Sequence, residues 1–402
     1  MIDMNDVKGC AIGCKRGLWS FMMEEFSTIF TDSGALLLVV FATMIYTIIY
    51  SIAYGREVVD NVVVAVVDDD NTPSSRKFIN GLKAGPNTRV GYEVSNMNDA
   101  KRLFYQRDVY GIVYIPDGYE HDIESGAQAD VILIMDGSHL LIYRQVLQQA
   151  VAEILTTGAQ VKMRRLVDRG TNAASIGSIV EPIDLNTHIL YNPSLGYGSF
   201  VMPSIMIVVM QQTIIIGLAM VGVRRRREKF CSVRISTLDA VRSVIAKILV
   251  YCIIYAVNLT VILGVVWPLF GFPYAGNTMQ VIVLLLLYLI AISGLGLAVS
   301  HLFVRREAPL MLLLWSSVPV LLLAGVSYPK EAFPEWLSQA GRLLPSSSAV
   351  NAYVGVGTMG ASLRDVSGDV LTLVLLAILY TSLAVIVEYR EINRRVVRDY
   401  LS

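Results

Sequence analysis

Six runs of mostly apolar residues limit this chain to folds that cross a bilayer, because roughly 20 such residues in a helix span about 30 Å of hydrocarbon. The runs are Gly34 to Tyr54, Tyr197 to Val223, Val241 to Leu269, Met279 to Val304, Ala308 to Tyr328 and Asp369 to Tyr389. A chain of 402 residues that is 54% hydrophobic and 16% charged, with a mean hydropathy of +0.55, is too apolar to be an ordinary soluble protein. The first run has small residues, Ser51 and Ala53, at its end, but the lead-in before it and its own length fit an uncleaved anchor better than a secretory signal.

The basic residues orient these spans. From Val223 to Arg242 the sequence holds Arg224, Arg225, Arg226, Arg227, Lys229, Arg234 and Arg242 against only Glu228 and Asp239. A short loop this basic stays in the cytoplasm. The segment with Lys8, Lys15 and Arg16, the Arg305 and Arg306 turn, and the tail with Arg390, Arg394, Arg395 and Arg398 then fall on the same side. The opposite short loop, Pro268 to Thr278, has no Lys or Arg. The expectation is a multi-pass inner (cytoplasmic) membrane protein with both termini cytoplasmic.

Between the first two runs lie residues 55–196, of soluble composition, with 18 acidic residues against 13 Lys or Arg. Short apolar strand candidates, Val62 to Val67, Val90 to Val94, Val109 to Ile115 and Val131 to Met135, alternate with amphipathic helix candidates at Ser74 to Lys83, Met97 to Tyr105 and Asp117 to Glu124. A longer helix is expected from Leu140 to Val167. The resulting fold class is an α-helical integral membrane protein with six transmembrane helices and an inserted extracytoplasmic α/β domain. The expected organisation is an N-terminal interfacial helix within residues 1–33, a first span at 34–54, the outer domain at 55–196, spans two to six within 197–389, and a cytoplasmic tail at 390–402. Gly9 to Phe30, where Trp19, Phe21, Met22, Met23, Phe26 and Ile29 mix with charges, suits a helix along the inner membrane surface. Pro329 to Pro345 is too short and polar to span and reads as a re-entrant or interfacial segment on the outer side, with Trp336 at the headgroups.

The chemistry-bearing motifs are few. No G-x-x-x-x-G-K-[ST] phosphate loop occurs, so energy from nucleotide hydrolysis would have to come from another chain. The spans carry almost no ionisable residue to couple an ion: Lys247 and Glu388 stand near cytoplasmic ends. Gln211 and Gln212 lie deep in the second span, either as hydrogen-bonding glue between helices or as candidates to line a translocation path. Gly294, Gly296 and Pro319 suggest close helix approach or a kink. The four histidines form no ligand pattern and no metal is expected; Cys10 and Cys14 lack a nearby His. Ser138 and His139 lack the glycines of a nucleophile elbow and read as turn residues. Asp68, Asp69 and Asp70 precede Thr72, Pro73 and Ser74, an arrangement for a turn and a helix cap.

Several segments together resemble one family. VAVVDDDNTPSSR (Val64 to Arg76), DVYGIVYIPDGYEHDIESGAQADVILIMDGSH (Asp108 to His139), YNPSLGYGSFVMPSI (Tyr191 to Ile205) and RRRREKFCSVRISTLDAVRSVIAKILVY (Arg224 to Tyr251) are similar, in order and spacing, to permease subunits of ABC exporters of the ABC-2 type, in the subgroup with a large extracytoplasmic domain after the first span. The resemblance implies a non-enzymatic transport subunit that moves a substrate outward, with ATP and Mg on a separate ATP-binding subunit and no cofactor on this chain. It also implies pairing with a second copy or a paralogous permease, and no nucleic acid. The loop at 223–241 would dock on the ATPase through Glu228, Lys229, Phe230, Val233, Ile235 and Leu238, while Arg224 to Arg227 anchor it at the lipid headgroups. Phe230, Cys231 and Ser232 depart from the family's usual Gly-Thr-x-Glu there. The competing reading is a membrane-anchored receptor or scaffold whose outer α/β domain binds a ligand.

Overall fold

A computed structural model describes residues 17–55, 57, 59–171, 177, 179, 180, 188–193, 195–227 and 236–401. The chain divides into two compact units, one of Met1–Glu57 with Ile189–Ser402 and the other of Val58–His188.

In the second unit, strand β1 (Val62–Asp68) reads VVVAVVD and is buried on both faces, as expected of a central parallel strand. It pairs in parallel with β2 (Thr88–Val94) and with β3 (Gly111–Ile115), and β3 pairs antiparallel with β4 (Ile132–Met135), giving the order β2-β1-β3-β4. The parallel pairings require crossovers, supplied by α3 (Pro73–Ala84) and α4 (Met97–Gln106). Phe78, Ile79 and Leu82 of α3 cover the face carrying Val66 and Val113. Val146 of α6 (Leu140–Asp168) packs on Val62 and Val64 of that same face. Ala100, Leu103 and Phe104 of α4 cover the opposite face at Ala65, Val67 and Ile112.

The aspartate run after β1 does cap the neighbouring elements. Asp70 accepts the amide N–H groups of Gly118 and Glu120 at 2.9 and 3.1 Å, which fixes the start of α5 (Tyr119–Ser125). Glu120 in return accepts from the Ser74 amide and hydroxyl at 3.1 and 2.7 Å, and Thr72 with Ser75 forms a capping box on α3. Gly118 sits at φ +87°, which an L side chain rarely adopts, so the Asp-Gly turn needs its glycine.

The other unit is helical. Helix α1 (Leu18–Thr31) leads into α2 (Ser33–Tyr54), followed after the α/β unit by α7 (Tyr197–Arg227), α8 (Thr237–Phe270) and α9 (Thr278–Ser300). Then come α10 (Ala308–Leu323), the short α11 (Glu335–Arg342) and α12 (Pro345–Tyr353), and finally α13 (Ser367–Leu401). Among the described residues five helices are long and apolar enough to cross a membrane: α2, α7, α8, α9 and α13. The fifth apolar run, Ala308 to Tyr328, behaves differently. Its helix has 16 residues and is followed by Gly325 at φ +79°, so at 1.5 Å per residue it covers about 24 Å.

Helix α7 is the core of this unit, most of its apolar residues from Val201 onward buried against α2, α9, α10 and α12, while Phe200 near its start is exposed. Glycines set the closest approaches. A Cβ on Gly294 of α9 would stand 2.9 Å from the backbone N of Thr381 on α13, and one on Gly296 would stand 2.7 Å from Leu218 Cδ1 of α7. Buried polar bonds also join the helices: Tyr255 donates to Thr213 Oγ1 at 2.8 Å, that hydroxyl lies 3.0 Å from Thr43 Oγ1, and Tyr288 donates to the Ile207 carbonyl at 2.6 Å.

The segment 329–345, expected to be re-entrant or interfacial, forms a single turn at Lys330–Ala332 and the amphipathic α11. Helix α12, directly after it, is an element that the sequence pattern did not predict. It is buried along nearly its whole length against α7, α9 and α13 although its sequence, PSSSAVNAY, is neither long nor apolar. It is held to its neighbours by the Ser346 amide, which donates to Gln211 Oε1 at 3.1 Å, and by Ser347 Oγ, which donates to the Leu323 carbonyl at 2.7 Å.

Candidate functional site

Helix α7 ends in the four arginines, and this end of the helical unit gathers most of its charge. Glu228, Lys229, Phe230, Val233 and Ile235, expected to dock on an ATPase, lie outside the described residues. Leu238, the last of that set, is in the first turn of α8 with its side chain exposed. Ser236 caps this helix, accepting from the Asp239 amide at 3.2 Å while Asp239 accepts from Ser236 Oγ at 2.9 Å, a reciprocal box that fixes where the helix resumes.

Three arginines at the end of α7 engage three different partners. Arg224 pairs with Asp32 at 3.4 Å, and the same carboxylate is the N-cap of α2, accepting from the Gly34 and Ala35 amides at 3.0 and 3.1 Å. Arg306, in the turn before α10, also pairs with Asp32. Burial raises the Asp32 carboxyl, but the Ala35 amide, Arg306, the Gly34 amide and Arg224 together outweigh it and hold the group below the ordinary carboxylate range. Arg225 reaches Glu25 at 2.6 Å and lies 3.9 Å from Glu24, both on α1. Arg226 donates to the Ser300 and Phe303 carbonyls at 2.6 and 3.0 Å, placing a cation at the C-terminal end of α9, where the helix dipole favours it.

This arrangement explains how α1 faces its surroundings. Its Glu25 and Ile29 are buried while Trp19, Met23 and Phe30 are exposed. A charge turned inward and aromatics turned outward fit a helix whose outer surroundings are lipid and whose inner face meets an arginine.

A second cluster lies nearby and joins residues far apart in sequence. Glu388 of α13, 7% exposed, accepts from Lys247 of α8 at 2.5 Å and from Ser243 at 3.2 Å, and its other oxygen is 3.1 Å from His301 Nε2 at the end of α9. A buried carboxylate surrounded by an ammonium, an imidazole and a hydroxyl is a satisfied group. Among the described residues, no group of three His, Cys, Asp or Glu side chains is placed to hold a metal ion.

The remaining candidates lie deeper. Gln211 bonds α12 through the Ser346 amide and so acts as glue. Gln212 is also buried, and its amide nitrogen has no hydrogen-bond partner among the described residues. The sequence pattern alone did not single out Glu25, Asp32, Arg306 or the grouping of Lys247, His301 and Glu388. The signal available for the first three was the presence of acids just before the first span and of arginines at span ends, which had to neutralise one another if buried.

The family model and the curated relatives point the same way. The model of the ABC-2 family transporter protein family matches residues 33–386. The chain is 23% identical over 331 residues to the probable multidrug ABC transporter permease YbhR of Escherichia coli K12, covering 80% of this chain and 84% of that protein. It is 22% identical over 359 residues to the linearmycin resistance permease protein LnrN of Bacillus subtilis 168, covering 86% and 92%. A crystal structure of a domain of a putative ABC type-2 transporter from Thermotoga maritima MSB8 is similar at 18% identity with a TM-score of 0.23, over 30% of this chain and 81% of that one. With the family match running from the first span into the last helix, and with the helical unit and inserted four-stranded domain described above, the chain belongs to the ABC-2 transporter family, as a multi-pass membrane permease.

Proposed function

We propose that this permease is the membrane half of an ATP-driven exporter, moving its substrate outward across an inner membrane while a separate subunit binds ATP and Mg. Two copies, or one copy with a paralogue, would place their spans face to face. In this reading the chain crosses six times, with α10 as the shortest span, both termini are cytoplasmic and the Val58–His188 unit is extracytoplasmic. The Glu228 to Leu238 segment makes the contact with the ATPase. The observation that carries the reading is the fastening at the end of α7: Arg224, Arg225 and Arg226 grip the cap of α2, helix α1 and the end of α9. A push on the segment just beyond them is thereby shared by several helices at once. The headgroup anchoring expected of Arg224 to Arg227 becomes, for the first three, anchoring to protein. Gln212 is the better of the two glutamines for lining a translocation path, since Gln211 is already committed to α12.

The cargo proposed is a lipophilic or amphipathic small molecule, a class that suits apolar spans and the multidrug and linearmycin names of the relatives. Scrambling Val233 to Leu238 in a complex purified with its ATPase tests the mechanism. Tenfold or greater loss of substrate-stimulated ATPase and of export, with the complex still assembled, is expected; full activity of both would overturn the coupling role. If no ATPase co-purifies with the intact chain, the receptor or scaffold reading is favoured instead.

A further inference from the structure

At the end of the helical unit away from the arginines, a cavity of about 530 Å³ opens among the last turn of α10, the Lys330–Ala332 turn, α11, the start of α12 and the start of α13. It reaches from Asp369, in the first turn of α13, down to Ser347, the neighbour of the Ser346 that bonds Gln211 near the middle of α7. Pockets that take drug-like molecules are mostly apolar. This one is lined by two cations, Lys330 and Arg342, and two anions, Glu331 and Asp369, with serine and asparagine between them.

The charges are unequally committed. Lys330 donates to the Ser347 carbonyl at 2.6 Å and to Asn351 Oδ1 at 3.1 Å, leaving one of its three N–H groups. Asp369 hydrogen-bonds the Asn351 and Ser348 side chains. The Arg342 guanidinium and the Glu331 carboxylate make no ion pair or hydrogen bond among the described residues, although both border the cavity. A ligand that satisfies this lining is net neutral and carries both signs: a phosphate or phosphate-like anion for Arg342 and Lys330, and an ammonium for Glu331 and Asp369.

The surroundings say where such a ligand comes from. Trp336 of α11 is 71% exposed, and Tyr328 and Leu343 beside it are also exposed, a grouping suited to the headgroup level of a bilayer. Along the two helices that border the cavity, α13 exposes Leu371 and Leu375 and α10 exposes Val318 and Leu322, aliphatic side chains suited to acyl chains. We propose that this cavity binds the headgroup of a zwitterionic, ethanolamine-type phospholipid from the outer leaflet, its phosphate on Arg342 and Lys330 and its ammonium on Glu331 and Asp369, with its chains along α10 and α13. The assignment of the outer leaflet rests on the topology proposed above; the headgroup chemistry does not.

The full chain in delipidated detergent micelles, titrated with phosphatidylethanolamine, phosphatidylglycerol and free phosphoethanolamine and followed by native mass spectrometry, tests the site. Phosphatidylethanolamine is expected to bind at least tenfold more tightly than either of the others, and Arg342→Gln and Glu331→Gln, both exposed and tolerant of change, are expected to lower its binding fivefold or more with the thermal midpoint of the empty protein unchanged. Equal binding of the two lipids, equal binding of the variants, or binding of phosphoethanolamine as tight as that of the lipid would overturn the proposal. Labelling of Ser338→Cys in whole cells by an impermeant maleimide checks the leaflet separately. Labelling supports an outer-leaflet source; protection from it, with lipid selectivity intact in micelles, overturns the leaflet and the topology while the headgroup site stands.

Discussion

The two ends of the helical unit treat charge in opposite ways. At the arginine end the acids are buried against basic side chains: Asp32 with Arg224 and Arg306, Glu25 with Arg225, Glu388 with Lys247 and the His301 imidazole. At the other end Arg342 and Glu331 stand at a cavity without ion-pair partners, and Lys330 is held by a carbonyl and an amide rather than by a carboxylate. Paired charges join helices into a piece that moves together, whereas uncommitted charges around a void leave room for something from outside the chain. The difference fits the transmission of movement proposed for one end and the recognition of a ligand proposed for the other.

The largest expected effect that could break this contrast comes from Glu388→Ala. It strands Lys247 and His301 in a dry site and should cost about 3–5 kcal/mol of stability, read as a drop in thermal midpoint in detergent. Lys247→Met combined with Glu388→Gln should recover part of it. If the single variant is as stable as the parent, the cluster holds nothing together. Next, Asp32→Asn keeps a capping oxygen but removes the charge that two arginines share, with an expected loss of about 2 kcal/mol. Because the Asp32 pKa is lowered in the folded state, its contribution is present above the ordinary carboxylate pKa and disappears as pH falls through the lower folded value. The thermal midpoints of parent and variant should therefore converge on acidification. At the opposite end Glu331→Ala should change stability by less than about 0.5 kcal/mol, since it breaks no internal pair; a loss as large as that at Asp32 would erase the contrast.

The smallest effect is a pH dependence of lipid binding. Burial pushes the Lys330 amine down to about 8, against the opposing pull of Asp369 and Glu331 and with the added push of Arg342. Raising the pH from 7 to 9 discharges it, so phosphatidylethanolamine binding should weaken a few-fold over that window. In Lys330→Gln the dependence should vanish, and a parent flat across it would remove Lys330 from the site.

Most of the architecture was legible in the residues. VVVAVV followed by an Asp-rich turn and Thr-Pro-Ser-Ser announces a buried strand and a capped helix because both signals are local in sequence. Long apolar runs announce spans for the same reason. The antiparallel direction of β4 was not legible, since its four residues, ILIM, are the same apolar string in either direction. Nor was α12, whose serines look like loop until Gln211 and the Leu323 carbonyl accept from them. The arginine run was visible as a topology marker; that its guanidiniums turn toward Asp32, Glu25 and the end of α9 was not.

By itself the sequence determined the number of apolar runs, the position of the inserted domain and the absence of a phosphate loop, because each of these is a property of contiguous residues. Only the tertiary structure decided that residues 247, 301 and 388 meet, that Asp32 serves two arginines, and that a polar cavity lies between α11 and α13. Charges distant in sequence are driven together when burial in an apolar bundle leaves each with no water to turn to, and the partner each finds is set by helix packing rather than by spacing along the chain.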